Sequence, residues 1–238
     1  MNWLDSLFRR DRPVLSAGQA ERLAAWRALP KVDPRIPFSE ARYVVVDVES
    51  SGLNIDKDRL IAIGAIAVSQ GRIDFNDAME VVLQQEKVSA KSNILIHGIT
   101  GEVQREGVPP AEALLGFLDY LGKAPLLAFH VAFDNIMITK AIRKYLGFRF
   151  EHSWADLAYV APALFPEHTY KCRSLDQWMA QFHIDNFARH SALADAVSTA
   201  ELLLHLRARM RERKIDNFRD LRDTDRTYHR AISSLGGP

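Results

Sequence analysis

The chain has 238 residues, 47% hydrophobic and 26% charged, with a formal net charge of +1, ordinary values for a globular protein of one sizeable domain with appendages or two small ones. Its single cysteine, Cys172, excludes a disulfide framework and a cysteine-rich zinc site, and is expected as a packed or half-exposed thiol in a reducing compartment. No apolar run approaches the roughly 20 residues that cross a bilayer, and the opening MNWLDSLFRRDRP lacks the apolar centre of a signal peptide, so the expectation is a cytoplasmic protein with no membrane partner.

Residues 1–40 read as a helical appendage and a linker. Leu4, Leu7 and Phe8, then Leu23, Trp26 and Leu29, fall at helical spacings on either side of RDRP, and three prolines in LPKVDPRIPF mark an extended connection. This helix packs either on its own domain or on a neighbour. From residue 42 strands and helices alternate. RYVVVDVE, RLIAIGAIAVSQ and GRIDFNDAMEVVLQ are β-rich and closely spaced, which predicts an antiparallel meander. PPAEALLGFLDYLG opens on proline and ends on glycine as a helix does. APLLAF is a short buried strand and FDNIMITKAIRKYLG a helix; FRFEHSW is a further strand candidate. ADLAYVAPALF, SLDQWMAQF and HSALADAVSTAELLLHLRARM follow as helices. The predicted fold class is α/β, with three antiparallel strands, then parallel additions, making a mixed five-stranded sheet with helices on both faces. The main domain is expected over residues 41–208, with a charged tail over 209–238. That tail is either a solvated helix or an arm whose arginines contact a phosphate backbone.

Three segments carry chemistry. In YVVVDVESSGLN a strand ends on Asp47 and Glu49, which share a face because side chains alternate along a strand. Two carboxylates so close repel unless a cation lies between them. Acids at strand ends are also ordinary turn-formers. In LLAFHVAFDNIM, Asp134 stands at a helix start, where it complements the dipole with or without a metal. In RHSALADAVSTAEL, His190 and Asp195 are about 140° apart on an ideal helix, so a cap at Ser191 leaves His190 in the loop and Asp195 on the first turns. Four carboxylates, one histidine and no cysteine favour a hard cation such as Mg²⁺ or Mn²⁺. A pair of such ions about 4 Å apart suits phosphodiester cleavage.

DVESSGL, HVAFD and HSALADAVSTAEL, in this order, resemble the three motifs of the DEDD 3′→5′ exonucleases of the histidine subtype, the group of DnaQ-like proofreading subunits and RNase T. NILIHGITGEV resembles the segment that this family carries between its first two motifs. The resemblance covers roughly residues 42–206 and implies an RNase H-like fold. It implies that Asp47 bridges two divalent ions, Glu49 and Asp195 complete one shell, Asp134 serves the other, and His190 is the general base. It further implies that Ser50, Ser51, Gly52 and Leu53 receive the 3′-terminal nucleotide. His97 and Phe133 are candidates for substrate contact or for packing. The family commonly has two threonines at Ser50–Ser51, and asparagine at His130, which places a histidine among the candidate substrate residues. The implied activity is release of nucleoside 5′-monophosphates from single-stranded 3′ ends, DNA ahead of RNA. The alternatives are a ribonuclease of RNA ends and a non-catalytic module that binds nucleic acid or a polymerase. A leucine–phenylalanine peptide around WLDSLF is of the type that clamp-binding segments use, so a polymerase or clamp partner at the N-terminal segment is also expected.

Overall fold

Valines of β1 (Arg42–Ser50) fill the middle of a sheet that is covered on both faces. The computed structural model describes residues 13–185 and 190–234. β1, β2 (Leu60–Ser69) and β3 (Arg72–Val82) form the antiparallel meander expected from their spacing, and β4 (Leu126–Ala128) and β5 (Trp154–Asp156) add in parallel, giving the order β3-β2-β1-β4-β5. The register of β1 against β2 breaks between Glu49 and Ser50. Such a bulge ends pairing and re-aims the chain, here directly after the two acids.

The helices in chain order are α1 (Ala17–Ala28), α2 (Lys91–His97), α3 (Gly101–Glu106), α4 (Pro110–Leu121), α5 (Val131–Leu146), α6 (Leu157–Leu164), α7 (Leu175–Phe182), α8 (Ala192–Glu212) and α9 (Phe218–Ser234). Side chains of β1 alternate between two cores. Val44, Val46 and Val48 point into one with α1, α4 and α5. Tyr43 and Val45 point into the other with α6, α7, α8 and α9. Asp47 and Glu49 have the same parity as Tyr43 and Val45, so period-two alternation turns them to the α8 side.

The helix over Ala17–Ala28 docks on its own domain. Leu23 and Trp26 are buried, the Trp26 indole N–H donates to the Gly122 carbonyl at 2.7 Å, and Lys123 Nζ lies 3.2 Å from the centre of the ring. Arg22 pairs with Glu112 and Asp119 of α4. Leu29 continues the sequence spacing but is exposed. Leu4, Leu7, Phe8 and the WLDSLF peptide lie outside the described residues.

The strand expected in FRFEHSW is not formed there: of that segment only Trp154 enters β5. Phe148 and Phe150 stand 6.0 and 6.3 Å from Trp26, and His152 stacks on Phe150. The alternation of aromatic residues covers an N-terminal tryptophan instead of facing a sheet. Residue 208 falls inside α8. Beyond it Phe218 and Leu221 of α9 are buried, Phe38 N–H donates to the Asp216 carbonyl, and Arg219 N–H donates to that of Pro34, both at 2.9 Å. The linker and the C-terminal segment are thus stitched together. Among the described residues no helix is long and apolar enough to cross a membrane.

Candidate active site

Asp47 of β1 lies opposite Gly64 of β2, which lies opposite Glu80 of β3. Gly64 explains how a helix reaches the acids. A Cβ there would stand 2.1 Å from the Ala192 carbonyl carbon and the Leu193 nitrogen, so the first residues of α8 rest directly on the strand. Ser191 occupies the N-cap position as expected, but its side chain makes no cap bond. Its hydroxyl donates to Glu80 Oε1 at 3.3 Å, and Leu193 N–H donates to the same oxygen at 3.4 Å. An acid from β3 therefore takes the capping role that sequence assigns to serine, and its charge suits the positive end of the helix.

One turn into α8, Asp195 is buried beside β1. Asp47, Glu49 and Asp195 each offer a carboxylate oxygen, and these oxygens lie within 4.8 Å of one another. Asp195 Oδ2 also accepts the backbone N–H of His190 at 3.1 Å. His190 has φ of 64°, a left-handed conformation that costs a non-glycine residue energy and persists where the surroundings enforce it. Its side chain is exposed.

Asp134 lies in the first turn of α5 and is buried. It is outside the three-oxygen cluster but close enough to the charge of Glu49 to feel it. Burial pushes its carboxyl well above the usual range, hydrogen bonds from its own backbone and that of Val48 pull the other way, and the charge of Asp156 adds to the rise. A bound cation would reverse that rise, because it stabilises the charged form.

Sequence reasoning passes over Asp156, at the end of β5. His130, the N-cap residue of α5, has φ of 69° and makes no side-chain cap. The Asp156 carboxylate does so instead, accepting His130 N–H on Oδ1 at 3.0 Å and Val131 N–H on Oδ2 at 2.9 Å. Its Oδ1 also accepts Ala158 N–H at 2.9 Å, so one carboxylate caps both α5 and α6. Burial raises its pKa and these three backbone donors lower it. The available signal was the same as for Asp47: an acid where a short apolar strand stops.

The Ser50–Leu53 turn is held from several sides. Ser50 Oγ donates to the Gly52 carbonyl at 2.7 Å. Ser51 Oγ donates to Asp58 Oδ1 at 2.8 Å and accepts Arg59 N–H, while the Asn93 amide donates to the Ser51 carbonyl. A Cβ on Gly52 would meet Asp58 Oδ2 at 2.5 Å. From α5, Lys140 Nζ donates to the carbonyls of Ile55, Asp56 and Asp58, which ties the Asp134 helix to the turn after the Asp47 strand. Leu53 stands 86% exposed at its tip.

His97 sits in a buried polar cluster: Nδ1 accepts Ile99 N–H at 3.0 Å, Nε2 is 3.4 Å from Ser89 Oγ, and Gln104 donates to that same hydroxyl. Burial lowers its pKa. Phe133 packs partly buried against the α5 core, and His130 is exposed with its ring edge-on to Phe129 at 4.8 Å.

Residues 44–203 match the family model described as Exonuclease, of the RNase T type, more than half of the chain. The chain belongs to this exonuclease family. It is 30% identical over 190 residues to a DNA polymerase III PolC-type protein of Thermotoga maritima, covering 79% of this chain and 14% of the relative. It is 26% identical over 212 residues to that of Bacillus subtilis, covering 84% and 14%. The exonuclease thus spans about a seventh of the length of these curated relatives. Its fold is similar to E. coli Exonuclease I in complex with a dT13 oligonucleotide, at a TM-score of 0.60 and 20% identity, covering 73% of this chain and 42% of that one. It is also similar to cell-death related nuclease 4, at a TM-score of 0.63 and 11% identity, covering 71% and 64%.

Proposed function

We propose that this exonuclease hydrolyses phosphodiester bonds at single-stranded 3′ ends, DNA ahead of RNA, and releases nucleoside 5′-monophosphates with the help of two divalent cations, Mg²⁺ or Mn²⁺. The observation that carries the reading is the gathering of Asp47, Glu49 and Asp195 within 4.8 Å beside the left-handed backbone of His190. Two oxygens on one Mg²⁺ at 2.0–2.1 Å can be no more than about 4.2 Å apart, so the cluster fits after a small closure. The donors are all carboxylates, as a hard cation requires. PolC-type relatives support DNA as the substrate and a polymerase as partner.

When bound, two such ions supply charge stabilisation for the attacking and leaving oxygens. Asp47, Glu49 and Asp195, with Asp134 nearby, would hold them. The imidazole of His190 takes a proton from the attacking water. The Ser50–Leu53 turn, braced by Asp58 and Lys140, seats the terminal nucleotide. The water oxygen bonds to phosphorus as the bond from phosphorus to the 3′ oxygen of the penultimate nucleotide breaks, and that oxygen takes a proton from solvent, leaving a nucleoside 5′-monophosphate and a shortened strand with a free 3′-hydroxyl. A single-stranded DNA labelled at its 5′ end is the test. The wild type should give a ladder that shortens from the 3′ end and stops in EDTA. Asp47→Ala should fold and lose about three orders of magnitude, the equivalent of roughly 4 kcal/mol of transition-state stabilisation. Full hydrolysis in EDTA or by Asp47→Ala would overturn the reading, and faster loss of a matched RNA strand would reverse the substrate preference.

A further inference from the structure

We infer that Asp225, on the C-terminal helix, is a positioning residue for Asp134, acting through Asp156. This rests on the proposed role of Asp134. β5 is the edge strand of the sheet, and edge strands carry backbone groups that no neighbouring strand satisfies. Here α9 lies along that edge, and Asp225 Oδ2 accepts the backbone N–H of Asp156 at 3.1 Å. An N–H bonded to a carboxylate is stronger than one bonded to a neutral acceptor. The bond fixes the backbone of a residue whose side chain is already committed: Asp156 holds His130 N–H and Val131 N–H at 3.0 and 2.9 Å. Those two amides open α5, and Asp134 follows in the same turn. Neither cap comes from α5 itself, since His130 makes no side-chain cap bond and stands at a positive φ that needs support from outside.

The relay therefore runs from α9 to the edge strand, from its last residue to the start of α5, and from there to the carboxylate that faces Glu49. Its first member, on the C-terminal helix, lies beyond residue 203, where the match to the family model ends. Around Asp225 stand Asp156, Arg226 and His229, with His229 stacked on Tyr159 of α6 at 4.5 Å. Asp225 needs to touch no substrate to matter. It sets the angle at which α5 presents Asp134.

The test uses full-length Asp225→Ala and Asp225→Asn chains. Asparagine keeps an oxygen that accepts the Asp156 N–H, and alanine does not. Asp225→Ala should lower kcat on a single-stranded oligonucleotide about 10- to 100-fold, the range for groups that orient metal ligands, with KM little changed. It should also raise the Mn²⁺ concentration for half-maximal rate. Hydrogen exchange over the peptide spanning residues 126–137 should quicken in Asp225→Ala, without metal or substrate present, and return to the wild-type rate in Asp225→Asn. Should the alanine chain not fold, Asp225→Ser carries the same expectation, its hydroxyl being too short to reach. A lower melting temperature with kcat and exchange at wild-type levels would overturn the inference, as would an asparagine variant no better than alanine. An inactive wild type whose exchange still responds to Asp225 would overturn the proposed function and leave the relay standing.

Discussion

Asp195 accepts the backbone N–H of His190 at 3.1 Å, so the carboxylate that faces Asp47 and Glu49 also fixes the loop that carries the candidate base. Two roles of one side chain can be separated by substitution. Asp195→Asn keeps an acceptor for the His190 N–H and loses the charge. It should fold with the loop in place and have lost nearly all activity, and isothermal titration should find weakened Mn²⁺ binding. His190→Asn tolerates the left-handed backbone, as asparagine does, but removes the imidazole. Its rate should fall about 10²- to 10⁴-fold, the usual contribution of a general base, with Mn²⁺ binding unchanged. Equal Mn²⁺ affinity in wild type and Asp195→Asn would remove Asp195 from the ligand set.

Gly64 decides how closely α8 meets the sheet. Gly64→Ala places a methyl 2.1 Å from the Ala192 carbonyl carbon, contact with backbone that has no rotamer to escape into. Overpacking of this kind costs about 1–3 kcal/mol, and here the helix that yields is the one bearing Asp195. Urea unfolding should show the loss, and exonuclease activity should fall further than the fraction unfolded explains. Gly116→Ala, in the middle of α4 with only Met79 Cε at 3.8 Å from the new methyl, is the control. It should stabilise by about 0.5–1 kcal/mol and leave activity intact.

Much of this arrangement is local and therefore legible in the sequence. Period-two alternation puts Asp47 and Glu49 on one face before any fold is known, and the Ser191 start of α8 separates His190 from Asp195. The antiparallel pairing of β1, β2 and β3 follows from their short connections. What the sequence hides are bonds between elements far apart in the chain. Glu80 reads as an ordinary strand residue, yet it takes up the Leu193 N–H across 113 positions. Gly64 reads as a weak spot in β2, and its meaning depends on a helix that begins at Ala192. Phe148 and Phe150 alternate as a strand would because nothing nearby reveals Trp26 as their partner. Asp156 read as part of the helical segment ADLAYVAPALF, and its two helix caps depend on how β5 sits beside β4.

Asp156→Ala should therefore cost more than an ordinary buried polar substitution. It uncaps α5 and α6 together, at about 0.5–2 kcal/mol for each cap, and leaves three backbone N–H groups without their acceptor. Thermal unfolding should show a loss of about 1–4 kcal/mol on that basis. Asp156→Asn retains one carbonyl oxygen and should lose less. Equal stability of the alanine variant and the wild type would mean that water or other groups satisfy those donors without cost.

Asp225 gives stability a pH dependence of unusual sign for an acid. Burial, with the nearby charge of Asp156 adding to it, pushes its pKa from the ordinary 3.8 to about 6, against the Asp156 N–H and the cations of His229 and Arg226. Between those values the folded chain holds a proton that the unfolded chain has released. Stability from this group therefore falls as pH rises from about 4 to about 6, and stays at the lower level above that. Buried histidines act in the opposite sense: burial lowers the pKa of His97 and His152, so their contribution rises over an overlapping window. A single stability curve mixes the two. Comparison with Asp225→Asn removes the histidines, because they are common to both chains. Urea unfolding in EDTA across that window should show the asparagine chain gaining on the wild type as pH rises, then holding its lead above about pH 6. Parallel curves would place the Asp225 carboxyl at its ordinary pKa.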